Sequence, residues 1–302
     1  MAIYLRFVCS LCTENIAQQL MKNTLIVLLI ILSFSCQQPD ETGWIPQSWI
    51  AERVADSETR MQQSAAGSRL LDAINAHGGM EKWFANGALW FHFDYQPLDD
   101  KTRRNSYQLV DQWSARSVHE LATNREVRYG WDGRDAWVFP DTAELPVNPR
   151  FWSMTPFYFV GLPFVLADEG TQYEQLEPQQ LNGRNYDLVK VTYTSGTGDA
   201  PDDFYIIYID QQTSKMGALR YIVTYPGFFP NGGHSPEKIM ILKGLQEVDG
   251  IWLATGYDTH WWKDGVGEHI TTIDVKDVQF KPSVDREEAF AKPAGARLHE
   301  GL

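Results

Sequence analysis

The sequence predicts a mainly β protein with a few helices, an α+β chain whose strands follow one another as an antiparallel meander. Three observations predict it. From Ala88 onward, Leu89, Phe91, Phe93 and Tyr95 alternate with Trp90, His92 and Asp94, the period of a strand with one buried face. Strand-like runs then succeed one another, and Asp132-Gly133, Asp249-Gly250 and Asp264-Gly265 supply the tight turns of hairpins rather than the crossovers of βαβ units. Helical patterns are confined to a stretch before Ala88 and to one interruption, Arg150 to Asp168.

The first element is a leader. Met21-Lys22-Asn23, the apolar run Leu25 to Phe34 and then Ser35-Cys36 read as a bacterial lipoprotein signal: a basic start, a short apolar core and a small residue before cysteine. The run is too short for a bilayer, which takes roughly 20 apolar residues. Residues 1–36 are therefore expected to be removed, with residues 1–20 an upstream misread of the start or an extended basic region. Cys36 becomes the acylated N-terminus, a palmitate-type anchor. Cys9 and Cys12 leave with the signal, so no zinc set forms and the mature domain folds without disulfides. Gln37 lacks the Asp associated with inner-membrane retention, which points to the outer membrane, on its periplasmic or surface face. Residues 37–60, polar and containing Pro39 and Gly43, read as a flexible tether, and 61–302 as a single domain.

A helix is expected over Ser64 to Ala76, with Leu70, Leu71 and Ile74 on one face and Gly78-Gly79 as its stop. A short second helix carries Met80, Trp83 and Phe84. After the Ala88 strand come Tyr107 to Trp113, Ser117 to Leu121, Arg125 to Tyr129, and Ala136 to Phe139. The later strands are Gln172 to Leu176, Tyr186 to Thr194, Phe204 to Asp210, Ala218 to Tyr225, Lys238 to Val248, Ile251 to Trp262, and Glu268 to Phe280. Arg150 to Asp168 is apolar nearly all round and broken by Pro156, Gly161 and Pro163. A segment apolar on every side must be covered on every side, so it is expected as short helices against the concave side of a curved sheet.

The formal net charge is −13. Nucleic-acid binding, which needs basic patches, is excluded, and so is docking of the domain on anionic lipid by charge. Aromatic residues make up 13% of the chain, enough for either an apolar cavity or a packed β core.

The order of elements resembles the LolA/LolB-like lipoprotein-carrier superfamily over Ser64 to Pro293. The residues that carry the likeness are Asp132-Gly133-Arg134-Asp135-Ala136-Trp137-Val138, the insertion Arg150 to Asp168, Leu181 to Leu188, Tyr208-Ile209-Asp210 with Gly217-Ala218-Leu219-Arg220, and Ile273 to Val278 before Phe290. The resemblance implies a strongly curved open antiparallel sheet, a half barrel, with helices on the concave side. It also implies binding of acyl chains or other lipids. The anchor departs from soluble LolA and agrees with LolB. No counterpart of LolB's exposed Leu-bearing loop is present; Pro226 to Pro230 comes nearest, so a sorting role does not follow.

Candidate chemistry is sparse. His77-Gly78-Gly79 lacks the G-x-S-x-G elbow that an esterase requires and suits a helix C-cap. His119-Glu120 has no second His at helical spacing. Trp90, His92 and Asp94 share a strand face, at a rim or a site. The Asp264-Gly265 hairpin, with Lys263 opposite Val266, sets His260 opposite His269 on one face with Asp258, Trp262 and Thr271. That face reads as hydrogen-bonded histidines or as a metal site. Phe228 and Phe229 lie in the loop Tyr225 to Pro236, as a lid, a partner contact or a pair tucked into the domain.

The expected ligand-binding residues are Leu89, Phe91 and Phe93 with Phe151, Trp152, Met154, Phe157, Tyr158, Phe159, Leu162, Phe164 and Val165. A filled and a hollow half barrel need the same inward pattern, so both remain open. The expectation is a lipid-anchored, non-enzymatic lipoprotein holding an acyl chain or lipid, without a cofactor. The alternatives are a packed structural or partner-binding lipoprotein, and a metal-dependent hydrolase using the His260/His269 face. No protein partner follows from the sequence.

Overall fold

A computed structural model describes residues 44–301. Within Thr42–Leu302, one compact unit, lie all the described strands and core residues. The leader and Cys36 fall outside the described residues.

The chain opens with α1 (Gln47–Met61), α2 (Ala65–Ala76) and α3 (Met80–Ala85). Ser64 caps α2 by accepting the Gly67 N–H, and Leu70, Leu71 and Ile74 form its buried face, as expected. The tether reading fails from Gln47 onward. There α1 buries Ile50, Ser57 and Met61, and its Arg53 lies over the rings of Phe84 and Trp113 at 4.5 and 4.7 Å. The polar composition of 47–60 hid a narrow stripe, Ile50, Val54, Ser57 and Met61, at helical spacing. Gly67 lets the two helices meet, since a Cβ there would stand 2.1 Å from the Met61 carbonyl oxygen.

Five strands follow: β1 (Ala88–Pro97), β2 (Arg104–Asp111), β3 (Arg116–Leu121), β4 (Asn124–Trp131) and β5 (Ala136–Phe139). After a helical insertion come β6 (Thr171–Leu181), β7 (Arg184–Tyr193), β8 (Tyr205–Asp210), β9 (Met216–Tyr221), β10 (Lys238–Val248), β11 (Ile251–Trp262) and β12 (Val266–Lys281). The short helix α5 (Arg286–Ala289) and β13 (Arg297–Leu298) end the fold. All pairings are antiparallel, in the order β13-β5-β4-β3-β2-β1-β12-β11-β10-β9-β8-β7-β6. The result is an open sheet with edges at β13 and β6, mainly β with helices on its concave side.

This order explains the insertion. β5 is next to one edge and β6 is the other edge, so the chain between them must cross the whole sheet. It does so as α4 (Pro149–Val160) and a 3-10 turn, Phe164–Ala167. Ser117 and His119 on β3 donate to the Ser153 carbonyl at 2.7 and 2.9 Å, while Tyr158 meets the Tyr205 ring of β8 at 5.4 Å. Strands so far apart in the order as β3 and β8 would lie about 34 Å from each other in a flat sheet. One helix touching both halves therefore requires strong curvature.

Polar side chains secure this crossing. Pro156 lies within α4 and has no N–H to give to the preceding turn. Two other carbonyls of the helix are taken by the sheet: Ser153 by β3, and Phe159 by the Tyr257 hydroxyl of β11 at 2.7 Å. The inward face of β2 is Ser106, Gln108 and Val110, with the Gln108 amide donating to the Ser106 hydroxyl at 3.0 Å. Tyr107 and Leu109, expected to mark that strand, take the other face, and Trp113 lies in the turn after it.

Candidate ligand cavity

A cavity of about 320 Å³ lies between α4 and the strands β7–β9. α4 contributes Arg150, Phe151, Met154, Thr155, Tyr158 and Phe159. The opposite wall is Tyr193, Tyr205, Tyr221, Val223 and Tyr225, and the loop Thr197–Ala200 forms part of the rim. Tyr205 and Tyr221 are direct cross-strand partners, with rings stacked 6.1 Å apart. Tyr193 sits edge-on to Tyr205 at 6.4 Å, and its hydroxyl meets that of Tyr158 at 2.5 Å. Period-two alternation sets these tyrosines on the concave face. Phe228, half exposed, covers Phe151 and Tyr225 at 4.8 and 5.2 Å.

The ionisable lining is uneven. Arg150 is held by Asp199 through Nε at 2.7 Å and Nη2 at 2.8 Å, and its guanidinium lies over the Trp131 ring at 3.5 Å. Asp168 pairs with Arg53 at 2.9 Å. Asp203 accepts the Thr224 N–H and hydroxyl on Oδ1 at 2.6 and 2.7 Å. Burial outweighs those two bonds and raises the Asp203 carboxyl above its usual value. Burial also raises the phenols of Tyr193, Tyr205 and Tyr221 well above theirs and pushes Tyr225 up to about 12. All four therefore stay neutral near pH 7.

Of the sequence-predicted residues, Phe151, Met154, Tyr158 and Phe159 line this cavity. Leu89, Phe91, Phe93, Trp152, Phe157, Leu162, Phe164 and Val165 do not; they are buried as core. Phe164 and Phe157 stack on Trp83 at 4.6 and 6.2 Å, and Trp152 packs edge-on to Tyr95 at 5.3 Å. The half barrel is thus filled under β1 and hollow under β7–β9. Sequence reasoning missed the tyrosines of the far wall. Their signal was the phenol itself, favoured where one end of an aromatic must stay polar.

The histidines serve other ends. His77 is buried; its Nδ1–H donates to the Trp252 carbonyl at 2.7 Å and its Nε2 accepts the Met216 N–H at 3.0 Å. It ties the end of α2 to β9 and β11. Burial lowers both His77 and His119 to about 4. His260 and His269 are cross-strand partners as expected, stacked at 4.7 Å, with Asp258 at 3.5 Å from His269. Bulges in the hairpin change the rest. Val266 pairs with Trp262 rather than Lys263, and Thr271 turns inward while Thr272 bonds Asp258 at 3.3 Å. Among the described residues no group of three or more His, Cys, Asp or Glu is placed to hold a metal ion, which removes the His260/His269/Asp258 metal candidate. Trp90 and His92 stack on Tyr107 at 6.0 and 4.4 Å, whereas Asp94 is buried against Arg103.

No family model matches this chain, and no curated protein matches it. Solved structures similar to it include a LolA superfamily protein from Nitrosomonas europaea, 12% identical over 76% of this chain and 98% of that one, with a TM-score of 0.49. A domain described as an outer membrane lipoprotein-sorting protein from Vibrio parahaemolyticus is 10% identical over 80% and 97%, with a TM-score of 0.45. A DUF1329 family protein from Desulfovibrio piger is 12% identical over 80% and 99%, also at 0.45.

Proposed function

We propose that this chain is a lipid-anchored lipoprotein of the outer membrane that holds an acyl chain or lipid in the cavity between α4 and β7–β9. The observation that carries the reading is the hollow itself. The concave side is packed to the core around Trp83, yet a 320 Å³ space remains beside Tyr205 and Tyr221, with seven aromatic side chains among its lining. A space of that size is in the range of small-ligand sites. Each methylene buried there contributes roughly 0.8 kcal/mol. The role is binding rather than catalysis, and α4 is the cover.

The test is native mass spectrometry of the Thr42–Leu302 unit purified under mild conditions, followed by lipid extraction. A stoichiometric lipid is expected, and Met154→Trp, which fills the cavity from α4, removes it without unfolding the protein. A clean apo mass that also refuses added amphiphiles overturns the reading. The anchor is checked separately: labelled palmitate is incorporated by the full chain and not by Cys36→Ala.

The second reading, a packed partner-binding lipoprotein, draws on one observation. Phe228 remains 47% exposed over Phe151, an apolar side chain at the rim that a protein partner would cover.

A further inference from the structure

Four carboxylates line the cavity, Asp168, Asp199, Asp203 and the exposed Glu169. Arg150 is the one cation among the lining residues. Asp199 holds two of its nitrogens, and its Nη1 is buried out of reach without a partner. Asp168 is taken by Arg53. Asp203 differs: both Thr224 bonds fall on Oδ1, and Oδ2 has no protein partner among the described residues. Lys238, the Tyr221 cross-strand partner, gives its ammonium to Ser235 Oγ at 3.0 Å and lies over the Tyr221 and Trp261 rings at 5.5 and 5.4 Å. It makes no ion pair with Asp203 and is not among the lining residues, although its charge reaches Asp203 and favours the ionised carboxylate.

A second, independent observation points to a ligand. Tyr205, Tyr221 and Tyr225 line the cavity and are more than nine-tenths buried; among the described residues none of their hydroxyls has a hydrogen-bond partner, and that of Tyr225 is itself fully buried. Buried hydroxyls are normally paired. Asp203 lies close enough to Tyr158, Tyr193, Tyr205 and Tyr221 for its charge to oppose ionisation of all four. The cavity therefore sets an unpaired carboxylate beside a wall of four tyrosine rings. A carboxylate and π faces both favour a cation, and a carboxylate ligand would be repelled by Asp203 with no free arginine or lysine to receive it.

Resting on the reading that the cavity holds an amphiphile, we propose that its preferred ligand carries a protonated amine or quaternary ammonium group, seated at Asp203 against Tyr158, Tyr193, Tyr205 and Tyr221. The apolar chain then runs along Phe151, Met154 and Phe159.

The test titrates the Thr42–Leu302 unit near neutral pH with decyltrimethylammonium, decanoate and decyl maltoside, each below its micellar concentration. The ammonium probe is expected to bind roughly ten-fold or more tighter than decanoate, with decyl maltoside between them. Asp203→Asn abolishes the preference. Asp202→Asn changes the net charge by the same amount at an exposed neighbour and keeps it. Equal binding of the probes, or tighter decanoate, overturns the proposal and leaves the cavity reading standing. Equal losses in the two variants also overturn it, assigning the preference to overall charge. If none of the three probes binds, the cavity reading fails and this proposal with it. The wild-type comparison decides the matter even if Asp203→Asn does not fold.

Discussion

The hydroxyls of Tyr158, on the helix that crosses the concave face, and Tyr193, on β7, meet at 2.5 Å. This bond joins the cover of the cavity to its wall. Each phenol is neutral, held above its usual value chiefly by burial, so the contact is an ordinary hydrogen bond between alcohols.

Removing one partner should be worse than removing both. Tyr158→Phe or Tyr193→Phe leaves a hydroxyl without its mate and is expected to lower stability by about 1–2 kcal/mol. The double variant is expected to fall short of the sum of the two. Urea unfolding of the four proteins checks this, and strict additivity would mean that the two hydroxyls are not coupled.

The apolar residues of α4 divide into two classes. Phe157 is buried and stacked on Trp83, whereas Met154 is half-buried at the cavity. Phe157→Ala is expected to destabilise by about 3–5 kcal/mol. Met154→Ala is expected to cost about 1 kcal/mol or less, because it enlarges a space that already exists. Similar losses in denaturant midpoint would contradict a helix with one packed and one hollow side.

These two residues also show what was legible in the sequence. That α4 would lie against the concave face followed from its composition, although the expected cover on every side is broken at the cavity, and β1 with its inward Leu89, Phe91 and Phe93 followed from a period of two. Which side of α4 faces a gap did not follow. It depends on where Pro156 turns the helix and on which carbonyls the sheet receives. The inward polar residues Ser117 and His119 were unreadable for the same reason: both donate to the Ser153 carbonyl of α4. α1 was missed because three of every four of its positions face solvent or are polar, although Ile50, Val54, Ser57 and Met61 carried the helical spacing. The hairpins at Asp249-Gly250 and Asp264-Gly265 were readable, but the bulges that moved Thr271 inward carry no local sequence signal.

Acid sensitivity should arise from two buried histidines. His77 and His119 titrate at about 4 in the folded protein, lowered by burial, against about 6.5 when unfolded. Between those values the unfolded chain binds more protons, so stability rises with pH there. Their contribution is complete above about pH 6.5 and is lost as pH falls toward 4, by roughly 3 kcal/mol for each group. Urea midpoints of the wild type are expected to drop steeply over this interval. His119→Leu lacks the donor to Ser153 and is weaker at neutral pH, yet it loses less between pH 7 and pH 5. An unchanged slope in that variant would remove His119 from the account.

The last contact closes the fold. The Asp111 side chain is fully buried at the end of β2, and Oδ2 accepts from Arg286 at 2.7 Å, Ser114 at 2.5 Å and Arg116 at 3.3 Å. Arg286 begins α5, so one carboxylate ties the C-terminal segment to the first half of the sheet. Arg116 further bonds Glu287 at 3.2 Å and lies over the fully buried Phe290 at 5.4 Å. Breaking a buried charge network by deleting one partner costs about 3–5 kcal/mol, because the opposite charges are left unpaired. Asp111→Ala is therefore expected to destabilise the whole unit by that amount and to expose 286–298 to proteolysis. Arg286→Ala leaves Arg116 and Ser114 on the carboxylate and is expected to be milder. If Asp111→Ala proves as mild as Arg286→Ala, the carboxylate is not the point at which the C-terminal segment is fastened.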